Sequence, residues 1–289
     1  MSELVKTWTE WLINSRFSYM NETQKQQTLL WLINVRDEIL NRAKLQPGDT
    51  VIDIGSGTGL LAFGAHMLLN GKGKVIVSDA FTDCLDACQR IAEHCGITDC
   101  IEFLQADATD IKLPENSVNV VVMRSVLVHI LKKATAIKEF YRILRPGGRI
   151  SIFEPIIKKN TRYYQLVNPD NFPNYAKIKE AEQKMVSDEN DSLVNFDEHT
   201  LENNFREAGF KNINVKVSIE SSTYEVRPEM IEPWFNAPPS PGKPALKQMF
   251  MEFMPEAEVN EFMENLKIEL GGKNITINSP VAYIYAEKA

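Results

Sequence analysis

The chain has 289 residues, 44% hydrophobic and 25% charged, and a formal net charge of −7. That length fits one large α/β domain or two ordinary ones, and the composition is that of a globular protein. The acidic balance, with only short basic runs such as Lys158, Lys159 and Arg162, argues against a nucleic-acid partner, and no apolar run approaches the ~20 residues that span a bilayer.

Met1 to Lys6 carries no apolar signal core, so a cytoplasmic chain without a membrane anchor is expected. Residues 1–48 read as helical. Trp8, Trp11 and Leu12 make one apolar face, and Leu29, Leu30, Leu32, Val35, Ile39 and Leu40 make another that ends at Pro47-Gly48. Residues 1–45 are therefore expected to form a helical N-terminal cover.

From Asp49 to Pro155 the pattern is strand, turn, helix, repeated. Strands are predicted at Thr50–Ile54, Lys74–Ser78, Ile101–Gln105, Val118–Met123 and Arg149–Glu154, and helices at Leu60–Leu69, Thr82–His94 and Lys132–Leu144. Such alternation implies parallel strands with right-handed crossovers, and ligands in such sheets bind at the carboxyl ends of the strands. All four cysteines, Cys84, Cys88, Cys95 and Cys100, fall in this stretch. Their spacing matches no zinc template. Leu85, Cys88, Ile91, Ala92 and Cys95 follow helical periodicity, so they read as packing and not as a metal or metalloid site.

After Pro155 the alternation stops. Residues 156–195 are polar and aromatic, a helix (Glu198–Ala208) and a strand (Ile213–Ile219) follow, and 225–273 form a second insertion containing Pro238-Pro239-Ser240-Pro241-Gly242. The Phe and Met run from Met249 to Met263 reads as packing. Val281–Ala286 closes as a strand. The fold class is α/β: a Rossmann-like, doubly wound, mostly parallel seven-stranded sheet. Residues 46–289 are read as one domain with insertions at about 156–195 and 225–273.

The strongest signal is Val51-Ile52-Asp53-Ile54-Gly55-Ser56-Gly57-Thr58-Gly59. An apolar strand enters a glycine-rich turn and a helix begins at once, presenting free N–H groups. A dinucleotide fingerprint needs its third glycine at the sixth place; here it falls at the fifth, and the sixth is Leu60. No Gly-Lys-Ser/Thr follows, which excludes a P-loop. Asp79 ends the second strand, where a carboxylate can accept both ribose hydroxyls of a nucleoside or serve only as a surface turn residue.

This D-x-G-x-G-x-G pattern resembles motif I of the class I S-adenosylmethionine (SAM)-dependent methyltransferases. Asp79, Asp107 in Gln105-Ala106-Asp107-Ala108, Leu113-Pro114 with Ser117–Met123, and Leu144-Arg145-Pro146-Gly147-Gly148-Arg149-Ile150 fit the later motifs in order. The resemblance covers about residues 45–155, and more weakly the strands near 213 and 281. Arg124-Ser125-Val126, Ser151–Pro155 and Pro233-Trp234-Phe235-Asn236 also resemble a bacterial branch of generic methyltransferases, which implies no particular substrate. The resemblance implies SAM as cofactor, with S-adenosylhomocysteine (SAH) as product. It implies that Gly55, Ser56, Gly57 and Gly59 wrap the methionine part and that Asp53 helps to hold its amino group. It places Asp79 and Ala80 at the ribose, with Asp107 and the Ala108 amide at the adenine.

Methyl transfer is an in-line displacement, so positioning can supply much of the catalysis. Arg124, after the fourth strand, can hold the SAM carboxylate or a substrate acid, or form a structural ion pair. His129 can act as a base or pack at a helix start. Glu154 can face the acceptor or make a turn contact before Pro155. Tyr19, with Arg16 and Phe17, sits in the N-terminal cover as a substrate contact. The insertions, with Tyr163, Tyr164, Trp234 and Phe235, are long enough to wall a pocket. The favoured reading is therefore a methyltransferase for a small-molecule acceptor, against one for a protein or peptide and against a non-enzymatic SAM-binding protein. The acceptor atom and the oligomeric state stay open.

Overall fold

The computed structural model describes residues 21–289. Tyr19, together with Trp8, Trp11, Leu12, Arg16 and Phe17, lies outside them. The first elements are α1 (Glu22–Ala43), β1 (Thr50–Ile54), α2 (Leu60–Leu69), β2 (Lys74–Asp79), α3 (Thr82–Cys95) and β3 (Ile101–Gln105). Then come β4 (Val118–Arg124), α4 (Lys133–Ile143), β5 (Leu144–Pro155), α5 (Tyr175–Met185) and α6 (Glu198–Glu207). The chain closes with β6 (Lys211–Glu225), α7 (Ile231–Asn236), α8 (Leu246–Met251), α9 (Glu256–Leu270) and β7 (Asn274–Glu287).

α1 begins with a capping box. The Asn21 side chain accepts from the Gln24 amide at 2.9 Å, and the Gln24 side chain accepts from the Asn21 amide at 2.9 Å. The helix buries Val35, Ile39, Leu40 and Ala43. Trp31 meets Phe153 edge-on at 6.1 Å between ring centroids, and the Ser151 hydroxyl donates to the Ile39 carbonyl at 2.8 Å. These contacts fix α1 against β5.

Among the described residues, seven strands form one sheet in the order β3-β2-β1-β4-β5-β7-β6. β1 pairs parallel with β2 and with β4, β2 with β3, and β4 with β5, whereas β5 and β7 are antiparallel. Strand order therefore reverses at β1, which has β2 on one side and β4 on the other. Val51, Ile52, Val77, Val120, Val121 and Val122 are buried almost completely, as expected of parallel strands covered on both faces. The expected doubly wound, mostly parallel sheet is present.

Three strands are longer than the hydrophobic pattern suggests. β5 starts at Leu144 because Val118 pairs with Leu144 and Val120 already pairs with Arg149; the Pro146-Gly147-Gly148 turn bulges out between. β6 and β7 extend through residues such as Ser221, Ser222, Thr223, Thr276 and Asn278, whose polar side chains carry no apolar alternation.

The chain divides into two compact units. Among the described residues, the first contains those up to Pro155, Phe196–Ser218 and Val281–Ala289, and the second contains Ile156–Asn195 and Ile219–Pro280. The second unit is wider than the 225–273 span at its later segment, because the outer ends of β6 and β7 belong to it. It has its own core, in which Phe172, Ile178, Phe235, Phe250, Val259, Phe262 and Leu266 are buried.

Candidate active site

The carboxyl end of β1 runs into the turn Gly55–Gly59. Gly55, Gly57 and Gly59 have φ of +65°, +55° and +87°, the left-handed region that side chains resist. Space is a second constraint at Gly55, where an added Cβ would overlap the Val126 side chain. The turn is sewn to β2 by Ser56, whose amide donates to the Ser78 carbonyl at 2.9 Å and whose hydroxyl donates to the Asp53 carbonyl at 2.8 Å. The Ser56 hydroxyl is thus engaged by the backbone of β1 and β2, where it also accepts from the Ser78 amide at 3.1 Å.

Two carboxylates hold this turn from below. Asp53 is 2% exposed, and its Oδ2 accepts from the Ala62 amide at 2.9 Å, in the first turn of α2. Burial pushes its carboxyl up to about 7; the Ala62 amide opposes the rise, the nearby Asp79 charge adds to it, and Arg124 opposes it. Asp79 is also buried, with Oδ2 accepting from the Gly57 amide at 2.9 Å and Oδ1 from the Phe81 amide at 3.0 Å. Its carboxyl is likewise raised by burial against the pull of those amides. Asp79 is therefore not a surface turn residue.

The next strand end is open. Asp107 is exposed, and its Oδ1 accepts from the Thr109 amide at 2.7 Å and the Thr109 hydroxyl at 2.6 Å. This Asx turn leaves Oδ2 for another donor. Ala108 is buried, and Ala80 is exposed with its carbonyl accepting from the Gln105 side chain at 3.2 Å.

Beyond β4 the chain turns sharply. Arg124 lies opposite Phe153 in register, and Ser125 adopts φ +57° with its amide donating to the Phe153 carbonyl at 2.8 Å. Leu127–His129 is a single 3-10 turn, where the His129 amide donates to the Val126 carbonyl at 2.9 Å. Arg124 and His129 are both half-buried. Glu154 has zero exposure, and its Oε1 accepts from the amides of Val126 and Leu127 and its Oε2 from that of Val128, all at 3.0 Å. The acceptor-facing reading of Glu154 is corrected: its carboxylate is enclosed by the amides of residues 126–128, after β4. Burial pushes this carboxyl up to about 7, opposed by the three amides and by Lys133.

The cysteines divide by environment. Cys84 and Cys88 are buried in α3, Cys95 is exposed and Cys100 is partly exposed. The Cys88 thiol lies 3.4 Å from the Gly57 carbonyl and is pushed up to about 12, chiefly by burial. A thiol held neutral in this way packs as a small hydrophobe. No group of three His, Cys, Asp or Glu side chains that could hold a metal occurs among the described residues.

In the second unit, Tyr163 lies 5.2 Å from Phe235 and 5.9 Å from Trp234, centroid to centroid, and Phe235 is completely buried. Phe235 is therefore core, and the expectation that it walls a pocket is corrected. The Glu182 carboxylate accepts from the Tyr163 and Tyr164 amides at 3.1 and 2.9 Å. It ties the irregular segment to α5.

The first unit thus gathers Asp53, Asp79 and the glycine turn at one end of the sheet, with Asp107 and Arg124 at the adjacent strand ends. Two carboxylates beside a glycine turn at a reversal of strand order suit a ligand that carries a cation and hydroxyl groups. The sequence reading missed Val126, whose contact with Gly55 depends on strand order, and Cys88, whose helical spacing signals burial but not its glycine neighbour.

Residues 11–221 match the model of the ubiE/COQ5 methyltransferase family. The chain is similar to a ubiquinone/menaquinone biosynthesis C-methyltransferase of Francisella philomiragia, 26% identical over 182 residues that cover 62% of this chain and 73% of the relative. A protein of the same description from Vibrio campbellii is 26% identical over 171 residues, covering 58% and 66%. Among solved structures, a Haemonchus contortus phosphoethanolamine N-methyltransferase in complex with SAM shares the fold. Its TM-score is 0.54 at 18% identity, over 88% of this chain and 52% of that one. No helix among the described residues is long and apolar enough to cross a membrane. The family match spans more than half the chain and agrees with the order of the sheet: the chain belongs to the ubiE/COQ5 methyltransferase family and is a SAM-dependent methyltransferase.

Proposed function

We propose that this enzyme methylates a small-molecule acceptor, with SAM held along the carboxyl ends of β1, β2 and β3. The observation that carries the reading is the convergence of Asp53, Asp79 and the left-handed glycine turn where strand order reverses. When bound, SAM supplies an electrophilic methyl group on a sulfonium.

The chain's own groups then have distinct tasks. Asp53, charged once a cation neighbours it, attracts the ammonium of the methionine part directly or through water. Gly55, Gly57 and Gly59 keep Cβ atoms out of the turn. Asp79 offers its remaining lone pairs to the ribose hydroxyls, Asp107 accepts from the adenine amino group, and the Ala108 amide faces the ring. Arg124 takes a carboxylate, and His129 accepts a proton where the acceptor must lose one. The C-methyltransferase description of the relatives supports a ring carbon of a quinol-type molecule as the first acceptor to try.

Two experiments test this. Calorimetry with SAH and with NAD should give binding of SAH alone; tighter binding of NAD would overturn the cofactor site. Incubation with SAM and a panel of metabolites, including quinols lacking a ring methyl, should add one methyl to a small molecule, read by mass. Methylation confined to proteins in a cell extract would overturn the acceptor class.

A further inference from the structure

Three successive amides, those of Val126, Leu127 and Val128, converge on one carboxylate that has no exposed surface. Consecutive N–H groups pointing at a common centre form a concavity that selects an anion. Here the anion comes from the neighbouring strand, Glu154 of β5. The segment it holds is otherwise disfavoured: Ser125 has φ +57° without being glycine, and a single 3-10 turn follows.

The held segment touches the cofactor turn. The Val126 side chain occupies the volume that a Cβ on Gly55 would need, with its Cγ1 3.0 Å and its own Cβ 3.3 Å from that point. Gly55 opens the glycine turn, so the position of Val126 limits where the first residue of the turn can lie. Lys133 backs the arrangement. It is 4% exposed, donates to the Ile130 carbonyl at 2.9 Å, and places its positive charge where it favours the Glu154 carboxylate. The linkage runs from Glu154 through the amide of Val126 to the Val126 side chain and then to Gly55, all within the first unit.

We infer that Glu154 is a positioning residue for methyl transfer, which acts through Val126 to hold the glycine turn in its SAM-binding shape. The inference rests on the placement of SAM at that turn. Glu154 transfers no proton and touches no substrate, because three amides and the β5 backbone enclose it.

The test uses the full chain and the variants Glu154→Gln and Val126→Ala, separately and together. Gln keeps the shape, and its single carbonyl oxygen can take two amides but not the third. SAH affinity is measured by calorimetry, thermal stability by unfolding, and the protection of individual amides by hydrogen exchange. In Glu154→Gln we expect SAH to bind at least tenfold more weakly. The variant should stay folded with a somewhat lower unfolding temperature, since one amide loses its acceptor and Lys133 loses the opposite charge. Amides 126–128 should exchange faster while those of β4 and β5 keep their protection. Val126→Ala should weaken SAH in the same direction, and the double variant should be no weaker than Glu154→Gln alone.

Wild-type SAH affinity in a folded Glu154→Gln variant would overturn the inference. If that variant fails to fold, Val126→Ala decides, and unchanged SAH affinity there breaks the linkage. A failure of the cofactor placement has a different signature. SAH would then leave the exchange of Gly55–Gly59 unaltered in the wild-type enzyme, and both readings would fall together.

Discussion

The carboxylate of Asp79 accepts the amide of Gly57 at 2.9 Å, so the last residue of β2 grips the middle of the turn that follows β1. One side chain therefore fixes the turn and still has lone pairs to offer a ligand. Asp79→Ala should lose both roles. Hydrogen bonds to charged groups are worth about 1.5–3 kcal/mol each, and each factor of ten is about 1.4 kcal/mol, so loss of even one should weaken SAH binding about ten- to a hundredfold, and loss of two by more, measured by calorimetry. A dissociation constant within twofold of wild type would place the ribose elsewhere.

The buried Asp53 carboxyl links cofactor binding to pH. With its folded value raised to about 7 from 3.8, Asp53 is mostly neutral below that point and ionised above it. A cation favours the ionised form, so SAM should bind more tightly as pH rises through about 7 and should release a proton below it. Calorimetry in buffers of different ionisation enthalpy reads that proton. The sign for stability is opposite. The native state holds its proton more tightly than the unfolded chain, so this group's contribution to stability is full below pH 3.8 and is lost as pH rises towards 7. Asp53→Asn should thus unfold at a higher temperature than wild type at pH 8 and at a similar one at pH 4, while losing most SAM affinity. A variant less stable than wild type at pH 8 would contradict the assignment.

Gly55 has two reasons to be glycine, and they can be separated. Gly55→Ala must adopt a left-handed backbone, at about 1–2 kcal/mol, and must also overlap Val126, where overpacking adds about 1–3 kcal/mol. Val126→Ala in the same chain should recover part of the second cost and none of the first. Urea unfolding of the two single variants and the double one measures both. Strict additivity would show that the Val126 contact is unimportant.

The cysteines should react in order of exposure. Iodoacetamide should label Cys95 rapidly and Cys100 more slowly, and should leave Cys84 and Cys88 unmodified in the native protein, as read by peptide mass. Labelling of Cys88 at the rate of Cys95 would mean that α3 leaves the glycine turn far more often than its burial implies.

Much of the first unit was legible because its strands and helices carry strong apolar periods. β1, α2 and β3 have the predicted bounds, and β2 and β4 extend by one residue, to Asp79 and Arg124. The glycine turn was legible because three left-handed positions leave a mark in residue type. The outer ends of β6 and β7 were not, since Ser221, Ser222, Thr223 and Thr276 pair by backbone and by hydroxyl contacts such as Thr223 to Thr276 at 2.9 Å. Nor was the task of Glu154. It depends on the register that sets Arg124 opposite Phe153, which brings positions 126–128 over a side chain 26 to 28 residues further on. Phe235 looked like a pocket wall because an aromatic residue in an irregular segment carries no sign of the separate core around it.

The place of β7 in the sheet governs how the chain can be made. β7 follows every other strand in sequence, yet it lies between β5 and β6. As the polypeptide leaves the ribosome, β1 to β5 can align as soon as they emerge, but β6 has no neighbour to join until β7 follows it. During that interval β5 presents an open edge, the kind of template on which foreign strands dock. Chains interrupted after Pro280 should accumulate as aggregates and not as a smaller, working enzyme.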